Sequence, residues 1–271
     1  MKVFTVDVSK CNGCYNCQLA CKDEHSGNDW SPYAKPQPET GQFWLRVRDF
    51  PQGTVPKVRI HYVAEMCNHC ANAACLAACP NGAVYRREDG LVLIDPAKCV
   101  GCGACAVACP YDAVFYNEEL KICQKCTGCA HLLDNGFALP RCVDACPTEA
   151  ISFAEESELS GFIVGADVRL PETGLRPRVY YRNIPGYFVA GTVYDPVEKE
   201  VATGAAVRLT NGGKTLHAVT DEYGDFWFND LRPGRYELIV EAAGFEYLAI
   251  DGIDASSGSV NLGDLALRKK Q

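Results

Sequence analysis

The residues of this sequence that could do chemistry are its cysteines, and their spacing says which chemistry. There are seventeen of them in 271 residues. Residues 99–110 read Cys-Val-Gly-Cys-Gly-Ala-Cys-Ala-Val-Ala-Cys-Pro, so Cys99, Cys102 and Cys105 stand three apart and Cys109 directly precedes Pro110. In the run C-x2-C-x2-C-x3-C-P, three thiolates hold three corners of a [4Fe–4S] cube and the fourth reaches across to a second cube. Gly101 and Gly103 keep this loop tight and let backbone N–H groups approach the cluster sulfurs. Pro110 is expected to stop the short helix that carries Cys109. The chemistry on offer is one-electron transfer.

Three related runs accompany this one. They are Cys11, Cys14, Cys17 and Cys21; Cys67, Cys70, Cys75 and Cys79, with a four-residue middle gap; and Cys126, Cys129, Cys142 and Cys146, with a twelve-residue gap. Cysteines two or three residues apart on one turn chelate well and bridge badly, which sets aside a disulfide framework. Cys123 is left over. Pairing it with Cys126 would strand Cys129, and a lysine precedes the first cysteine of three runs (Lys10, Lys98, Lys125), so Cys123 is expected to be a free, buried thiol.

The elements that must position these thiols can be read from two internal repeats. Val6-Asp7-Val8-Ser9-Lys10-Cys11 is matched by Ile94-Asp95-Pro96-Ala97-Lys98-Cys99. Cys79-Pro80-Asn81-Gly82-Ala83-Val84, Cys109-Pro110-Tyr111-Asp112-Ala113-Val114 and Cys146-Pro147-Thr148-Glu149-Ala150-Ile151 each read as a helix stop, a turn and a returning strand. Residues 3–8 read as a strand feeding the first run. Lys22, not proline, follows Cys21, so that helix is expected to run on. The short stretch between the second and third runs, with the repeat, pairs them into two cluster sites, Cys67/Cys70/Cys75/Cys109 and Cys99/Cys102/Cys105/Cys79.

Residues 26–62 form a long insert with Trp30, Trp44, Arg46, Arg48 and Arg59. It reads equally as a hairpin over the first cluster or as a docking surface. Residues 155–186 form a connector, expected to wrap the chain's own surface or a partner. From 187 to 271 cysteine is absent and short strands alternate with turns. These are 188–193, 206–210, 216–220, 225–229, 234–241 and 260–267, which argues for a β-sandwich. The stretch Thr220-Asp221-Glu222-Tyr223-Gly224-Asp225-Phe226-Trp227-Phe228, with Leu231-Arg232-Pro233-Gly234-Arg235-Tyr236, resembles carboxypeptidase-regulatory-like and Cna-B-like domains of transthyretin-type topology. The expected fold class is therefore α+β: a ferredoxin-like four-cluster domain over 1–154, the connector, and an all-β sandwich.

A formal net charge of −8 excludes a basic nucleic-acid-binding protein. No stretch has the length and hydropathy of a transmembrane helix. The N-terminal residues lack a signal-peptide pattern, so a cytoplasmic location is expected, with export beside a signal-bearing partner as the alternative. The five histidines, His25, His61, His69, His131 and His217, are scattered and read as structural. His69, inside the second run, could hydrogen-bond a cluster and tune its potential. There is no phosphate loop, nucleophile elbow or flavin fingerprint. No catalytic residue is expected, only electron relay.

With the connector motif Arg178-Val179-Tyr180-Tyr181, the four runs and the long insert make residues 1–185 resemble the iron–sulfur small subunits of molybdopterin oxidoreductases of the dimethyl-sulfoxide-reductase family. The resemblance implies that the first run pairs with the fourth, giving Cys11/Cys14/Cys17/Cys146 and Cys126/Cys129/Cys142/Cys21. It also implies four [4Fe–4S] clusters serving a large partner that carries molybdenum and molybdopterin guanine dinucleotide. Within that family, the appended sandwich, Asp23-Glu24-His25, 87–96, 124–134 and Pro177-Arg178-Val179-Tyr180-Tyr181 resemble the small subunits of phenol transhydroxylases. Those retain three clusters, whereas this chain keeps all sixteen ligands. Net electron exchange with an outside donor or acceptor is thereby implied, as in a phenol or catechol hydroxylase or dehydroxylase. A small subunit of a sulfoxide, polysulfide or nitrogen-oxide reductase and a free-standing polyferredoxin are the rival readings.

Overall fold

The computed structural model describes residues 1–270, which divide into two compact units. The first comprises 1–49 and 61–184, the second 50–60 and 185 onward.

In the first unit, β1 (Lys2–Asp7) leads into the first cysteine loop and α1 (Asn16–His25). The ten-residue α1 continues past Cys21, where no proline interrupts it. The insert is a hairpin of β2 (Leu45–Thr54) and β3 (Lys57–Met66), whose tip belongs to the second unit. One-turn helices α2 (Ala74–Ala77) and α3 (Ala104–Val107) carry Cys75 and Cys105 and pack on each other. Two small hairpins accompany them, β4 (Val84–Arg86) with β5 (Val92–Ile94) and β6 (Val114–Asn117) with β7 (Ile122–Lys125). Next come α4 (Ala130–Asp134), α5 (Arg141–Asp144) and β8 (Ile151–Glu155), and α5 packs on α1 as α3 does on α2. The helix before Pro110 already ends at Val107, so Cys109 lies just beyond it and not on it.

The connector contains α6 (Ser160–Ile163) and returns as β9 (Val179–Arg182), which adds to β1 in parallel while β8 flanks β1 on the other edge, antiparallel. Central β1 is buried on both faces, as a strand covered on both sides must be. Tyr181 of β9 is 1% exposed and donates its hydroxyl to the Ala64 carbonyl (3.3 Å). Filling a site with such a ring stabilises the fold by about 1.5–3 kcal/mol. The insert's aromatic and arginine side chains are engaged within their own units. Trp44 packs on His25, Trp30 stacks on His131, Arg46 reaches Asp112, Arg48 pairs with Glu65 and Arg59 lies 4.3 Å above Trp227.

The second unit is a sandwich. One sheet is β10 (Tyr187–Asp195) flanked by β11 (Glu200–Val201), β14 (Asp225–Leu231) and β17 (Val260–Ala266). The other runs β13 (Lys214–Val219), β12 (Ala206–Asn211), β15 (Arg235–Glu241), β16 (Leu248–Asp254). Alternation puts Val207, Leu209, Leu238 and Val240 inside against Val189, Phe226 and Phe228. The strand β16 is missing from the sequence-based set. Its residues alternate Leu, Ala, Ile, Asp, Gly, Ile, Asp, and only Ile253 is buried, so it carries little hydrophobic signal. Among the described residues no helix is long and apolar enough to cross a membrane.

Candidate metal centres

Each cysteine loop is set by the residue before its second cysteine. In three runs that residue is a glycine at positive φ: Gly13 (71°), Gly101 (67°) and Gly128 (63°). A β-carbon on Gly101 would stand 2.1 Å from the Lys121 carbonyl oxygen, so here glycine is demanded by that close approach as well as by φ. The second run breaks the pattern. His69 takes the same position at φ 41°, a left-handed conformation that glycine adopts more readily.

One cavity is lined by Cys67, Cys70 and Cys75 of the second run with Cys109 of the third. Another is lined by Cys99, Cys102 and Cys105 of the third run with Cys79 of the second, and Cys123 joins them. Cys123 is 2% exposed, its N–H donates to Cys99 Sγ (3.4 Å), and its thiol lies within hydrogen-bond reach of Cys105. Cysteines of the first and fourth runs lie close enough to raise one another's thiols. Burial, then Cys146 and Cys11, push the Cys17 thiol up to about 12. Burial, then Cys126 and Cys129, raise Cys21 well above the ordinary thiol range, and burial with Cys129 and Cys21 does the same to Cys142.

The Cys-Pro repeat has a physical purpose. Behind Cys79, burial raises the thiol, but the N–H groups of Val84, Asn81, Ala83 and Gly82 outweigh it and bring Cys79 below its ordinary value. Behind Cys146, burial is outweighed in the same way by the Thr148 hydroxyl and the N–H groups of Ala150, Ile151 and Thr148, with Ala150 N at 3.3 Å from the sulfur. The turns after Pro80 and Pro147 are thus N–H nests that favour thiolate.

The influence of the thiols on one another orders the quartets as a row. Cys75 of one quartet contributes to the rise of Cys105 in the next, so Cys79/Cys99/Cys102/Cys105 neighbours Cys67/Cys70/Cys75/Cys109. Cys67 contributes to the rise of Cys126, and Cys17 to that of Cys21, which adds Cys21/Cys126/Cys129/Cys142 and then Cys11/Cys14/Cys17/Cys146. The exposed thiols, Cys14 and Cys102, belong to the two ends. The regular run at 99–105 therefore lies at one end of the row, with Cys109 serving the quartet inside it.

Charged and polar groups crowd one inner quartet. Lys125, 2% exposed, points its Nζ at Cys67 Sγ (3.5 Å), the Cys126 carbonyl (3.1 Å) and the Val92 carbonyl. Burial disfavours its charge, but Cys67, Cys75 and Cys126 more than offset this and hold it above the ordinary lysine range. Arg86 reaches the carbonyls of Cys70 and Ala71, both at 2.7 Å. Burial, then Lys125, hold His69 well below the usual imidazole range, so its ring is neutral. Near Cys129 two histidines form a pair that spacing gave no sign of: His131 bonds Glu24 (3.0 Å) and stands edge-on to His25, which burial and His131 depress to about 3.

Among the described residues, no three histidine, cysteine or carboxylate groups converge tightly enough to chelate a single ion. The thiols stand around cavities instead, a soft donor set that fits an iron–sulfur cube and not one ion. Residues 8–27 match a 4Fe-4S binding domain, 58–156 a 4Fe-4S dicluster domain and 189–268 a carboxypeptidase regulatory-like domain. The pyrogallol hydroxytransferase small subunit of Pelobacter acidigallici is 38% identical, over 97% of this chain and 98% of its own length. The chain belongs to the family of iron–sulfur electron-transfer subunits of molybdoenzymes. Other members are the B subunit of the anaerobic dimethyl sulfoxide reductase of Escherichia coli K12 (36% identity; 58% of this chain, 74% of the relative) and the arsenate respiratory reductase iron–sulfur subunit of a Shewanella species (30%; 66% and 94%). As in any iron–sulfur subunit, the thiolates and their hydrogen bonds set what the chain does: bind [4Fe–4S] clusters and pass single electrons.

Proposed function

We propose that this chain holds four [4Fe–4S] clusters, one per cysteine quartet, and relays electrons to or from a molybdopterin catalytic subunit acting on a polyhydroxylated aromatic. The observation that carries this is the cavity where three cysteines of one run meet the last cysteine of another, Cys67, Cys70 and Cys75 with Cys109. Crossed ligation of that kind belongs to paired cubes. When bound, the clusters supply one-electron chemistry; the chain's own part is to fix the thiolates, exclude water from the inner quartets and donate N–H groups to the sulfurs. Both ends of the row keep an exposed cysteine, as a relay between two partners requires. At the Cys102 end, Val100 and Val107 are exposed (63% and 90%) and offer an apolar rim for docking.

The aromatic substrate class is supported by the pyrogallol hydroxytransferase small subunit, whose match runs through the sandwich as well as the cluster unit. Metal analysis of the protein purified with its native companions tests the reading. The expected result is about sixteen iron atoms per chain with molybdenum in a larger companion subunit, and turnover of phenols. Isolation as a monomer free of molybdenum, or about twelve iron atoms, would overturn it.

A further inference from the structure

The position before the second cysteine is glycine in three runs and His69 in the second, held at φ 41°. A side chain kept in a left-handed conformation, where the fold uses glycine elsewhere, directs attention to what that side chain does. Its Nδ1 accepts the Val92 N–H at 3.0 Å, so the ring proton sits on Nε2. That Nε2 has no partner, is buried, and belongs to a residue lining the cavity of Cys67, Cys70, Cys75 and Cys109. A buried N–H donor left without an acceptor is costly, and cluster sulfur is the acceptor this cavity would supply. Asn68, 1% exposed and with both carboxamide atoms unpartnered, lines the same cavity.

Charge follows the same asymmetry. Lys10 and Lys98 precede the first cysteines of their runs and are exposed, whereas the equivalent Lys125 is buried and sets its ammonium between the Cys126 carbonyl of its own run (3.1 Å) and Cys67 Sγ of the second (3.5 Å). Arg86 adds a second cation, held at the Cys70 and Ala71 carbonyls. The neighbouring inner quartet instead has near Cys129 a compensated pair, the carboxylate of Glu24 with the Arg141 guanidinium at 3.4 Å. A reduced cube carries one more negative charge than an oxidised one, so side-chain donors and cations around it favour the reduced state.

We propose that the inner quartet Cys67/Cys70/Cys75/Cys109 is the electron well of the row, its cluster having the highest midpoint potential of the four because His69 donates into it and Lys125 and Arg86 set positive charge against it. The proposal rests on the four-cluster reading above. The test is a redox titration of the full chain, as isolated with its clusters and companions, followed by electron paramagnetic resonance and accompanied by iron analysis. The Cys109→Ser variant identifies the signal of this quartet as the one lost or altered. That signal should be the highest in midpoint. His69→Leu and Lys125→Met should each lower it by at least about 59 mV, a tenfold change in its reduced-to-oxidised ratio, leaving the other three in place. His69→Gln and Lys125→Arg, which keep a donor and a cation, should restore most of the shift. A different signal standing highest, or both variants leaving this midpoint unmoved, overturns the proposal while the iron count stays at about sixteen. Fewer iron atoms overturn the four-cluster reading itself. Should His69→Leu lose its clusters, the ranking marked by Cys109→Ser still decides the matter.

Discussion

At the scale of single residues, the cysteine loops show how far spacing can be trusted. Spacing names sixteen cysteines and leaves Cys123 aside, yet it does not show that Cys123 lines a cavity with Cys79, Cys99, Cys102 and Cys105. It offers the same reason for Gly101 and Gly103, whereas the structure separates them. A β-carbon at Gly101 would meet the Lys121 carbonyl oxygen at 2.1 Å, while one at Gly103 meets nothing within 4 Å. Both positions have positive φ, so alanine at either pays about 1–3 kcal/mol in backbone conformation. Only Gly101→Ala must also displace a backbone carbonyl. It should lose iron on purification and unfold at lower denaturant than Gly103→Ala, which should keep its iron. Equal behaviour of the two would mean that the Lys121 carbonyl yields freely. Lys125 was visible in the sequence only as a repeated lysine. Its burial, and its reach to another run's cysteine, come from the tertiary fold.

Among the elements, the insert and the connector were the least legible. Tryptophans and arginines are enriched in interfaces and in covered hairpins alike, so composition could not choose between them. The structure engages them internally, and the tip of the hairpin supplies Lys57 to the sandwich unit, where its ammonium pairs with Asp225 of β14. Lys57 is 6% exposed, so removing its charge leaves Asp225 poorly compensated. Lys57→Met should destabilise the sandwich by about 1–3 kcal/mol, less than breaking a fully buried pair, because the Asp225 side chain is 24% exposed and also accepts from the Thr192 hydroxyl at 2.7 Å. Adding Asp225→Asn should recover most of that loss. Burial raises the Asp225 carboxyl, but Lys57 and Thr192 outweigh it and hold it below its ordinary value. A group depressed in this way stabilises the fold above the usual carboxylate range and ceases to as the pH falls through its folded value. Acid should therefore weaken wild-type β14 more than that of Lys57→Met. Hydrogen exchange of the β14 amides reads both effects; an unchanged exchange rate in Lys57→Met would show the pair to be dispensable.

For the molecule as a whole, the order of the quartets matters more than their number. Nothing in the spacing says that four sites form a row: Cys17 acts on Cys21 within the first run, but the influence of Cys75 on Cys105 and of Cys67 on Cys126 joins different runs and comes from the tertiary fold. The row has unequal protection. Its two ends contain the exposed thiols Cys14 and Cys102, whereas every cysteine of Cys21/Cys126/Cys129/Cys142 is buried and Cys67/Cys70/Cys75/Cys109 has none exposed. Iron released to a chelator under mild oxidation should therefore leave in two stages. With the isolated chain, about eight of about sixteen iron atoms should go quickly from the two end sites and the rest slowly. A catalytic subunit docked on one end would cover one of those sites, so in the complex the fast stage should shrink to about four iron atoms. A single-stage release would deny the row its buried middle. A fast stage of the same size with and without the partner would mean that the partner sits at neither end, and the direction of electron flow would have to be sought elsewhere along the chain.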